Sequence, residues 1–262
     1  MDHIPLGPMP VRTPPAIRSA RKGVKAASPG DVDAVLTWLK EHAHKQVLND
    51  MGPRYGIHTT KAFGVRMADM LKLAKTIGTD HELAAALWDT TWYEARMVAC
   101  MIDDPARVTL TQMDRWCRDF DNWGICDTVC FKLFDRVPNA FTRVAKWAPR
   151  EEEFIRRGAF ALLACLALHD KQADDAAFQQ QLPLTERFAG DTRPLVQKGV
   201  SWALRAIALR SAPLRAEVMA LAQRLAASTD ACERWVGKDV LKAIAKPAER
   251  WRTPARKTKT TR

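Results

Sequence analysis

A segment of the chain recurs after about forty residues. Residues 154–168 align with residues 195–209 at an offset of 41, and the alignment superposes Gly158 on Gly199. A shorter segment at 236–240 repeats the pattern once more, at an offset of 40. A unit of this length cannot bury an apolar face within itself, so neighbouring copies must pack on one another. The chain is therefore expected to fold as a row of similar units.

The units are expected to be pairs of helices. From residue 31 onward Ala, Leu, Arg and Met dominate, and the alternating β-branched runs that strands need are scarce. Capping residues and apolar periodicity predict helices at 31–44, 59–77, 80–102, 109–120, 122–136, 139–147, 150–168, 193–209, 213–226 and 230–245. Helix pairs with this period predict an all-α fold, a HEAT-like α-solenoid of antiparallel helix pairs. Such solenoids curve, and their inner helices line a concave groove that suits an extended binding partner.

Composition places the protein among ordinary globular chains. Its 262 residues are 47% hydrophobic and 27% charged, which is enough for one large domain or two small ones. No run approaches the roughly 20 apolar residues that a membrane span needs, and the first ten residues lack the apolar stretch of a secretory signal. We therefore expect a cytoplasmic protein that has no membrane partner.

The formal net charge of +11 is concentrated at the two ends of the sequence. Residues 1–30 carry a net charge of +4 and residues 246–262 a net charge of +6, which leaves +1 for residues 31–245. We predict a flexible, Pro-rich basic arm at 1–30, a folded domain at 31–245 and a disordered basic tail at 246–262. Two interpretations of the ends stay open: they contact phosphate groups, or they only keep the protein soluble. A polyanion site on the domain itself must come from local clustering of cations.

The cysteine and histidine pattern argues against disulfides and metal. Six cysteines lie inside apolar helical patterns, as core thiols of a protein in a reducing compartment do. There is no C-x-x-C pair, and only two of the six histidines, His42 and His44, are close in sequence. Gly-rich phosphate loops and the G-x-S-x-G and H-E-x-x-H motifs are also missing from the sequence. We predict no metal and no cofactor.

Two helical segments combine tryptophan with charge on one face. Trp123 and Asp127 are four residues apart, so they lie on the same side of the predicted helix. Lys198, Trp202 and Arg205 are spaced at i, i+4 and i+7 and share a face in the same way. The alternative interpretation is that these tryptophans belong to the core and that Asp127 is a solvated carboxylate.

The repeat relates the second of these segments to an arginine one unit earlier. Arg157 occupies the position in its helix that Lys198 occupies in the next repeat. Adjacent inner helices are therefore expected to present Arg157 and Lys198 in register, close to an aromatic residue and a second cation. Cations grouped in this way are typical of contacts to phosphate.

The order and spacing of several motifs resemble a known family. The motifs are Tyr55-Gly-Ile-His-Thr-Thr60, Leu87-Trp88, Tyr93-Glu94-Ala-Arg96, Asp121-Asn-Trp123 with Asp127, Phe154-Ile-Arg-Arg157-Gly-Ala, and Gln197-Lys198 with Trp202-Ala-Leu-Arg205. Over residues 51–245 the chain resembles the DNA alkylation repair family, the HEAT-like-repeat DNA glycosylases of the AlkD type. Two residues depart from the family pattern: Asn122 stands where some relatives carry an aromatic residue, and Gly124 loosens the turn after Trp123.

The resemblance implies excision of cationic N3- or N7-alkylated purines from duplex DNA, with the concave groove as the DNA-binding groove. By matching position, Asp127 would be the catalytic carboxylate, and Trp123 and Trp202 would flank the deoxyribose. Arg157 and Arg205 would hold phosphates. The implied partner is double-stranded DNA containing alkylated purines, bound by a monomer that would be nucleoid-associated in a bacterium.

The repeat register adds Lys198 as a further phosphate contact. The chemistry suits this sparse set of residues, because an alkylated purine of this class is already positively charged and leaves as a neutral base without a general acid. One preorganised carboxylate can then stabilise the oxocarbenium-like sugar and orient the attacking water. No lysine stands beside Asp127 as a Schiff-base amine, so lyase activity is not expected. The resemblance further implies that the base stays in or near the stack, unlike the substrates of most glycosylases.

Two other functions remain open. A non-catalytic relative would bind damaged or branched DNA through the same cations, because HEAT-like folds can lose chemistry and keep the groove. A protein-interaction scaffold would need none of the site residues. The presence of both tryptophans together with Asp127, Arg157 and Arg205 favours the glycosylase.

Overall fold

The computed structural model describes residues 31–245, and the regular structure in this range is entirely helical. In chain order the helices are α1 (Asp31–Glu41), α2 (Lys45–Tyr55), α3 (Met67–Ile77), α4 (His81–Asp89), α5 (Tyr93–Ile102), α6 (Leu110–Arg118), α7 (Trp123–Lys132), α8 (Phe141–Trp147), α9 (Glu153–His169), α10 (Asp175–Gln179), α11 (Leu182–Arg187), α12 (Pro194–Ile207), α13 (Ala212–Ala226) and α14 (Ala231–Ile244), with a short 3-10 helix (Phe134–Arg136) after α7. The predicted basic arm at 1–30 and basic tail at 246–262 lie outside the described residues. Within 31–245 no helix combines the length and the apolar character needed to cross a membrane.

The helices form pairs whose second members pack side by side. Helix α4 packs on α5, α8 on α9 and α13 on α14. The second members α5, α7, α9, α12 and α14 each contact the next, and α3 extends this series at its start. We call α3, α5, α7, α9, α12 and α14 the front row, and α4, α6, α8 and α13 the back row. This arrangement is the all-α solenoid of helix pairs that the repeat predicts.

Glycines let neighbouring helices approach closely. A β-carbon added at Gly158 would lie 3.4 Å from a phenylalanine ring carbon, and one at Gly199 would lie 3.4 Å from Cβ of Phe160. At Gly237 it would lie 2.4 Å from the backbone nitrogen of Ala226, which no packed carbon atom tolerates. Gly158 and Gly199, which the repeat aligns, are therefore points of helix–helix contact. Gly237 aligns with Gln197 and lies at a different and tighter contact, between α13 and α14.

Two residues of the sequence motifs, Trp88 and Arg96, stabilise the core. The fully buried rings of Trp88 and Trp116 stack with their centroids 4.0 Å apart, and Trp88 Nε1 donates a hydrogen bond to Asp119 Oδ2 at 2.8 Å. The guanidinium of Arg96 lies 5.0 Å from the Trp88 ring centroid and donates to the carbonyl oxygens of Trp88 and Asp119. These contacts join α4, α5 and the end of α6, so Trp88 and Arg96 stabilise the fold.

The cysteines are core thiols, as predicted. Five of the six are buried, and Cys232 is half-buried. Burial raises the pKa of the Cys100 thiol to about 12, because the thiolate would lose its hydration. The Cys100 thiol therefore stays protonated at neutral pH and serves packing.

The predicted helix at 59–77 is wrong in its first part, since α3 begins only at Met67. The buried carboxylate of Glu94 accepts hydrogen bonds from the amides of Phe63 (3.0 Å), Gly64 (2.7 Å) and Val65 (3.2 Å). These bonds hold the segment before α3 in a non-helical conformation, and Gly64 has a φ of +83°. The partner is about thirty residues away in sequence, so a local pattern cannot reveal it.

The predicted single helix at 80–102 is two helices, α4 and α5. The Thr90 hydroxyl donates to the carbonyl oxygen of Leu87 at 2.7 Å, and Thr91 has a φ of +65°. Hydroxyl groups that bond to nearby backbone compete with the helical hydrogen-bond pattern and favour a turn. The sequence pattern does not predict the short helices α10 and α11. It does not predict α2 either, because this helix contains Gly52 and Pro53, which indicate a break.

Candidate functional site

A buried asparagine fixes the start of α7, the helix that carries the predicted catalytic carboxylate. Asn122 is the N-cap: its Oδ1 accepts from the amide of Ile125 at 3.0 Å, and its Nδ2 donates to Asp121 at 2.6 Å. Trp123 is the first residue of α7, and Asp127 lies one turn later on the same side of the helix. The departure from the family pattern at position 122 is therefore a helix cap.

Asp127 and Arg157 form a bidentate ion pair between α7 and α9. Arg157 Nε donates to Asp127 Oδ1 at 2.9 Å, and Arg157 Nη2 donates to Asp127 Oδ2 at 2.6 Å. A third bond runs from Arg157 Nη1 to the carbonyl oxygen of Leu195 at 2.5 Å, at the start of α12. The Arg157 side chain is 7% exposed and that of Asp127 is 20% exposed. Arg157 thus holds the carboxylate in one orientation, and a fifth of the Asp127 side chain remains exposed to solvent.

These hydrogen bonds limit the number of Arg157 N–H groups that could contact a phosphate. A guanidinium has five N–H donors, and three of those on Arg157 are used within the protein. The predicted phosphate contact would have to use the remaining two, on a side chain that is almost fully buried. The geometry favours Arg157 as a residue that positions Asp127.

Burial and pairing act in opposite directions on the Asp127 carboxyl. Loss of hydration raises its pKa above the ordinary value, and the charge and hydrogen bonds of Arg157 partly offset this rise. The net direction is upward. The same pairing raises the pKa of Arg157, which therefore stays charged.

Trp123 is held by a backbone carbonyl and by close packing of the next residue. Its Nε1 donates to the carbonyl oxygen of Tyr55 at 2.8 Å, and its ring is half-buried. A β-carbon at Gly124 would lie 2.8 Å from the hydroxyl of Tyr93 and 3.0 Å from Cδ1 of Ile57. Glycine at position 124 therefore admits Tyr93 beneath the first turn of α7. Burial raises the pKa of the Tyr93 phenol, so this hydroxyl remains neutral.

A cleft of about 510 Å³ opens next to this turn. Its lining residues come from α2, from the segment after α2 and from the residue before the Asn122 cap: Leu48, Met51, Gly52, Ile57, His58, Thr59, Thr60 and Asp121. The segment 55–60 is the first of the motifs that carry the family resemblance. The structure places it against the first turn of α7, where Ile57 packs beside Gly124 and the Tyr55 carbonyl accepts from Trp123.

The remaining predicted site residues lie on α12. Trp202 is half-buried and packs against the core, and Lys198 is exposed. Arg205 Nε donates to the Ser201 carbonyl oxygen at 3.2 Å within the helix and lies 3.9 Å from Asp239 Oδ2 on α14. The predicted residues therefore occupy three consecutive front-row helices, α7, α9 and α12.

Only part of the predicted set is in direct polar contact. Within residues 31–245, Asp127 is hydrogen-bonded to Arg157 and to no other predicted site residue. Gly199, the neighbour of Lys198, packs against Arg157: a β-carbon there would lie 3.7 Å from the Arg157 carbonyl oxygen. This contact sets α12 beside α9 at the level of the ion pair.

Sequence reasoning missed a second carboxylate on the front row. Asp239 Oδ2 accepts a hydrogen bond from the buried Ser201 hydroxyl at 2.5 Å and faces Arg205. The pair connects α12 to α14, as Arg157 connects α9 to α12 through Leu195. The repeat indicates only that 236–240 lie on a helix equivalent to that of 196–200. It gives no signal for the carboxylate, because Gly199 aligns with Asp239.

The described part of the chain contains no group of three His, Cys, Asp or Glu side chains arranged to hold a metal ion. The polar chemistry of the candidate site consists of one carboxylate, nearby cations and indole rings. Such a set can stabilise positive charge on a bound group and can contact phosphate oxygens.

Solved structures resemble the fold to different degrees. A solved structure described as a new family of proteins related to the HEAT-like repeat DNA glycosylases, with affinity for branched DNA structures, has a TM-score of 0.68 and 19% sequence identity, over 81% of this chain and 94% of that chain. A designed armadillo repeat protein has a TM-score of 0.36 and 11% identity, over 82% of this chain and 92% of that chain. No curated protein matches the sequence.

The first of these structures confirms the HEAT-like repeat fold predicted from the forty-residue period. The sequence model of the DNA alkylation repair enzymes matches residues 35–234, which include α2 to α13 and the Asp127–Arg157 pair. The chain belongs to the DNA alkylation repair enzyme family.

Proposed function

We propose that the protein is a monofunctional DNA glycosylase that hydrolyses the N-glycosidic bond of cationic N3- or N7-alkylated purines in duplex DNA. The observation that carries this proposal is the Asp127 carboxylate, which Arg157 holds through both oxygens while 20% of the side chain remains exposed. This ion pair joins α7 to α9, two neighbouring helices of the front row. In a chain of this family, an oriented carboxylate on the front row suits catalysis.

In the proposed reaction the Asp127 carboxylate is the one protein group that takes part in the chemistry. The bond between C1′ and the purine nitrogen breaks, and its electron pair neutralises the positive charge of the purine. The sugar becomes oxocarbenium-like, and water adds to C1′ with loss of a proton. The ionised Asp127 would stabilise the developing charge and orient the water, and no general acid is required.

The other predicted residues would bind the DNA. Trp123 and Trp202 would contact the deoxyribose and backbone at the lesion, and indole faces favour cationic groups. Arg205 and Lys198 would contact phosphates independently of sequence. We further propose that a monomer binds the duplex along the front row and leaves the alkylated base in or near the stack.

One observation favours a second function. Arg157 compensates the Asp127 charge within the protein, and the structure with a TM-score of 0.68 is described as having affinity for branched DNA. The second candidate is therefore a non-catalytic protein that binds branched or damaged DNA through the same face.

Base release from methylated duplex DNA separates the two functions. We expect the wild-type protein to release N7-methylguanine and Asp127→Asn to do so at least about a hundredfold more slowly, the scale of one key electrostatic group. Asp114→Asn is the matched control: Asp114 also pairs with an arginine, Arg143 at 2.7 Å, and is 13% exposed, but it lies on the back-row helix α6.

The control should release base at a rate within a few-fold of wild type. Binding of both wild type and Asp127→Asn to DNA with no release by either would overturn the glycosylase proposal and support the non-catalytic function. Equal loss of activity in Asp127→Asn and Asp114→Asn would show that the loss reflects the stability of the fold and not the chemistry of Asp127.

A further inference from the structure

A second cleft, of about 420 Å³, opens where α3, α5 and α7 end. Its apolar residues include Leu71, Met101 and Phe131. Leu71 is 41% exposed and Phe131 is 39% exposed, although both are large apolar side chains. Scattered exposed apolar residues are normal, but a group of them in one cleft marks a binding surface.

The same cleft is lined by three cations, Lys75, Lys132 and Arg136. Among the described residues none of the three takes part in an ion pair or donates a side-chain hydrogen bond. For Arg136 this is unusual, because most other arginines of the domain do. The Phe131 ring is contacted by Lys132 Nζ, 5.3 Å from its centroid, and by the His169 ring, whose centroid lies 4.5 Å away in a T-shaped arrangement. Three cations that have no carboxylate partner among the described residues, placed around an apolar floor, attract an anion that also carries an apolar group. A nucleotide has both parts.

The cleft lies on the face of α7 that carries the candidate site. Phe131 follows Asp127 by four residues, so the two share a face of α7, and Val129, on the opposite side of the helix, is fully buried. Four residues of helix correspond to a rise of about 6 Å. DNA that contacts Asp127 would therefore pass beside the cleft, so this inference rests on the proposed binding of DNA to the front row.

We propose that this cleft binds an unpaired nucleotide of the bound DNA. Its base would pack on Leu71, Met101 and Phe131, and its phosphates would contact the three cations. In a continuous duplex the bases are stacked inside the helix and cannot reach an apolar cleft on the protein. An unpaired nucleotide can, and stacking of a base on an aromatic side chain stabilises binding largely independently of sequence.

The test compares undamaged duplex DNA with and without a bulge of a few unpaired adenines. We expect the wild-type protein to bind the bulged duplex about tenfold more tightly at fixed salt, and Phe131→Ala to bind the two duplexes equally. The matched control is Met219→Ala, because Met219 is 38% exposed but lies on the back-row helix α13. The control should keep the preference.

The cations are tested through salt dependence. On the bulged duplex, the double variant Lys75→Ala with Lys132→Ala should lower the slope of log K against log salt by roughly 0.7–0.9 for each phosphate that the protein no longer neutralises. The proposal is overturned if Phe131→Ala keeps the preference for the bulged duplex and the double variant keeps the wild-type salt slope.

The outcome is independent of catalysis, because the DNA carries no lesion. Release of N7-methylguanine from a continuous methylated duplex, measured on the same Phe131→Ala protein, should equal that of wild type. If the wild type shows no bulge preference but binds a fluorescent peptide rich in Asp and Phe, and Phe131→Ala does not, the cleft is a protein-docking site and the nucleotide proposal is wrong.

Discussion

The proposed catalytic role of Asp127 and its partial burial place opposite demands on the ionisation of its carboxyl group. The carboxylate must be ionised to stabilise an oxocarbenium-like sugar, yet partial burial favours its protonated form. Arg157 reduces that cost through its charge and two hydrogen bonds. The motif spacing indicated that Asp127 and Arg157 belong to one site. It could not indicate that they bond to each other, because the approach of α7 to α9 depends on tertiary packing.

The opposing effects predict a pH dependence. Activity should fall as the pH decreases through the raised pKa of Asp127, because the ionised form is lost. Arg157→Gln removes the charge that lowers this pKa, so the acid limb should move to higher pH. Single-turnover release of N7-methylguanine between about pH 4.5 and pH 8 measures the midpoint. Arg157→Lys, which keeps the charge, should bring the midpoint back toward that of wild type.

A loss of activity in Arg157→Gln that is equal at every pH would contradict this role. It would indicate that Arg157 acts on the DNA itself, through the phosphate contact that the family resemblance implies. The midpoint therefore distinguishes a residue that positions and tunes Asp127 from one that binds the backbone.

At the level of elements, the repeated glycines show how much a sequence repeat can predict. The alignment of Gly158 with Gly199 indicated equivalent helices, and both glycines lie at helix–helix contacts. The helix ends were harder to predict. The segment before α3 is set by Glu94 on another helix, and the break before α5 depends on threonine hydroxyl groups. Non-local partners and side chain–backbone bonds override the local preference for helix at these places.

Two alanine substitutions should have different effects on stability. In Gly237→Ala the new β-carbon would meet backbone atoms of α13 at 2.4 and 2.6 Å, so the helices must separate. We expect the free energy of unfolding to fall by about 1–3 kcal/mol. In Gly199→Ala the nearest atom is 3.4 Å away, and the gain in helix propensity of up to about 1 kcal/mol offsets any adjustment.

Thermal unfolding of the two variants beside wild type measures the difference. Gly237→Ala should lower Tm by several degrees, and Gly199→Ala should leave it nearly unchanged. Equal destabilisation by both would mean that the approach of α14 to α13 is no closer than that of α12 to α9.

At the scale of the whole molecule, the front row brings distant parts of the sequence together in order. Asp127, Arg157 and Lys198 lie on three successive helices because the chain returns to this row once in each repeat. The period and the motif order predicted this arrangement. The two clefts beside the row could not be predicted, since each is formed by segments from three or more elements whose side chains are ordinary helix or loop residues in sequence.

In the proposed reaction the positive charge of the lesion replaces a general acid, so that one oriented carboxylate is enough. Two duplexes that differ only in the lesion at one position test this directly: cationic N7-methylguanine in one and neutral 1,N6-ethenoadenine in the other. We predict release of the first base by the wild-type protein and no measurable release of the second. Release of both bases at similar rates would contradict the proposed chemistry, because a neutral base must be protonated as it leaves and Asp127 is proposed to act only in its ionised form.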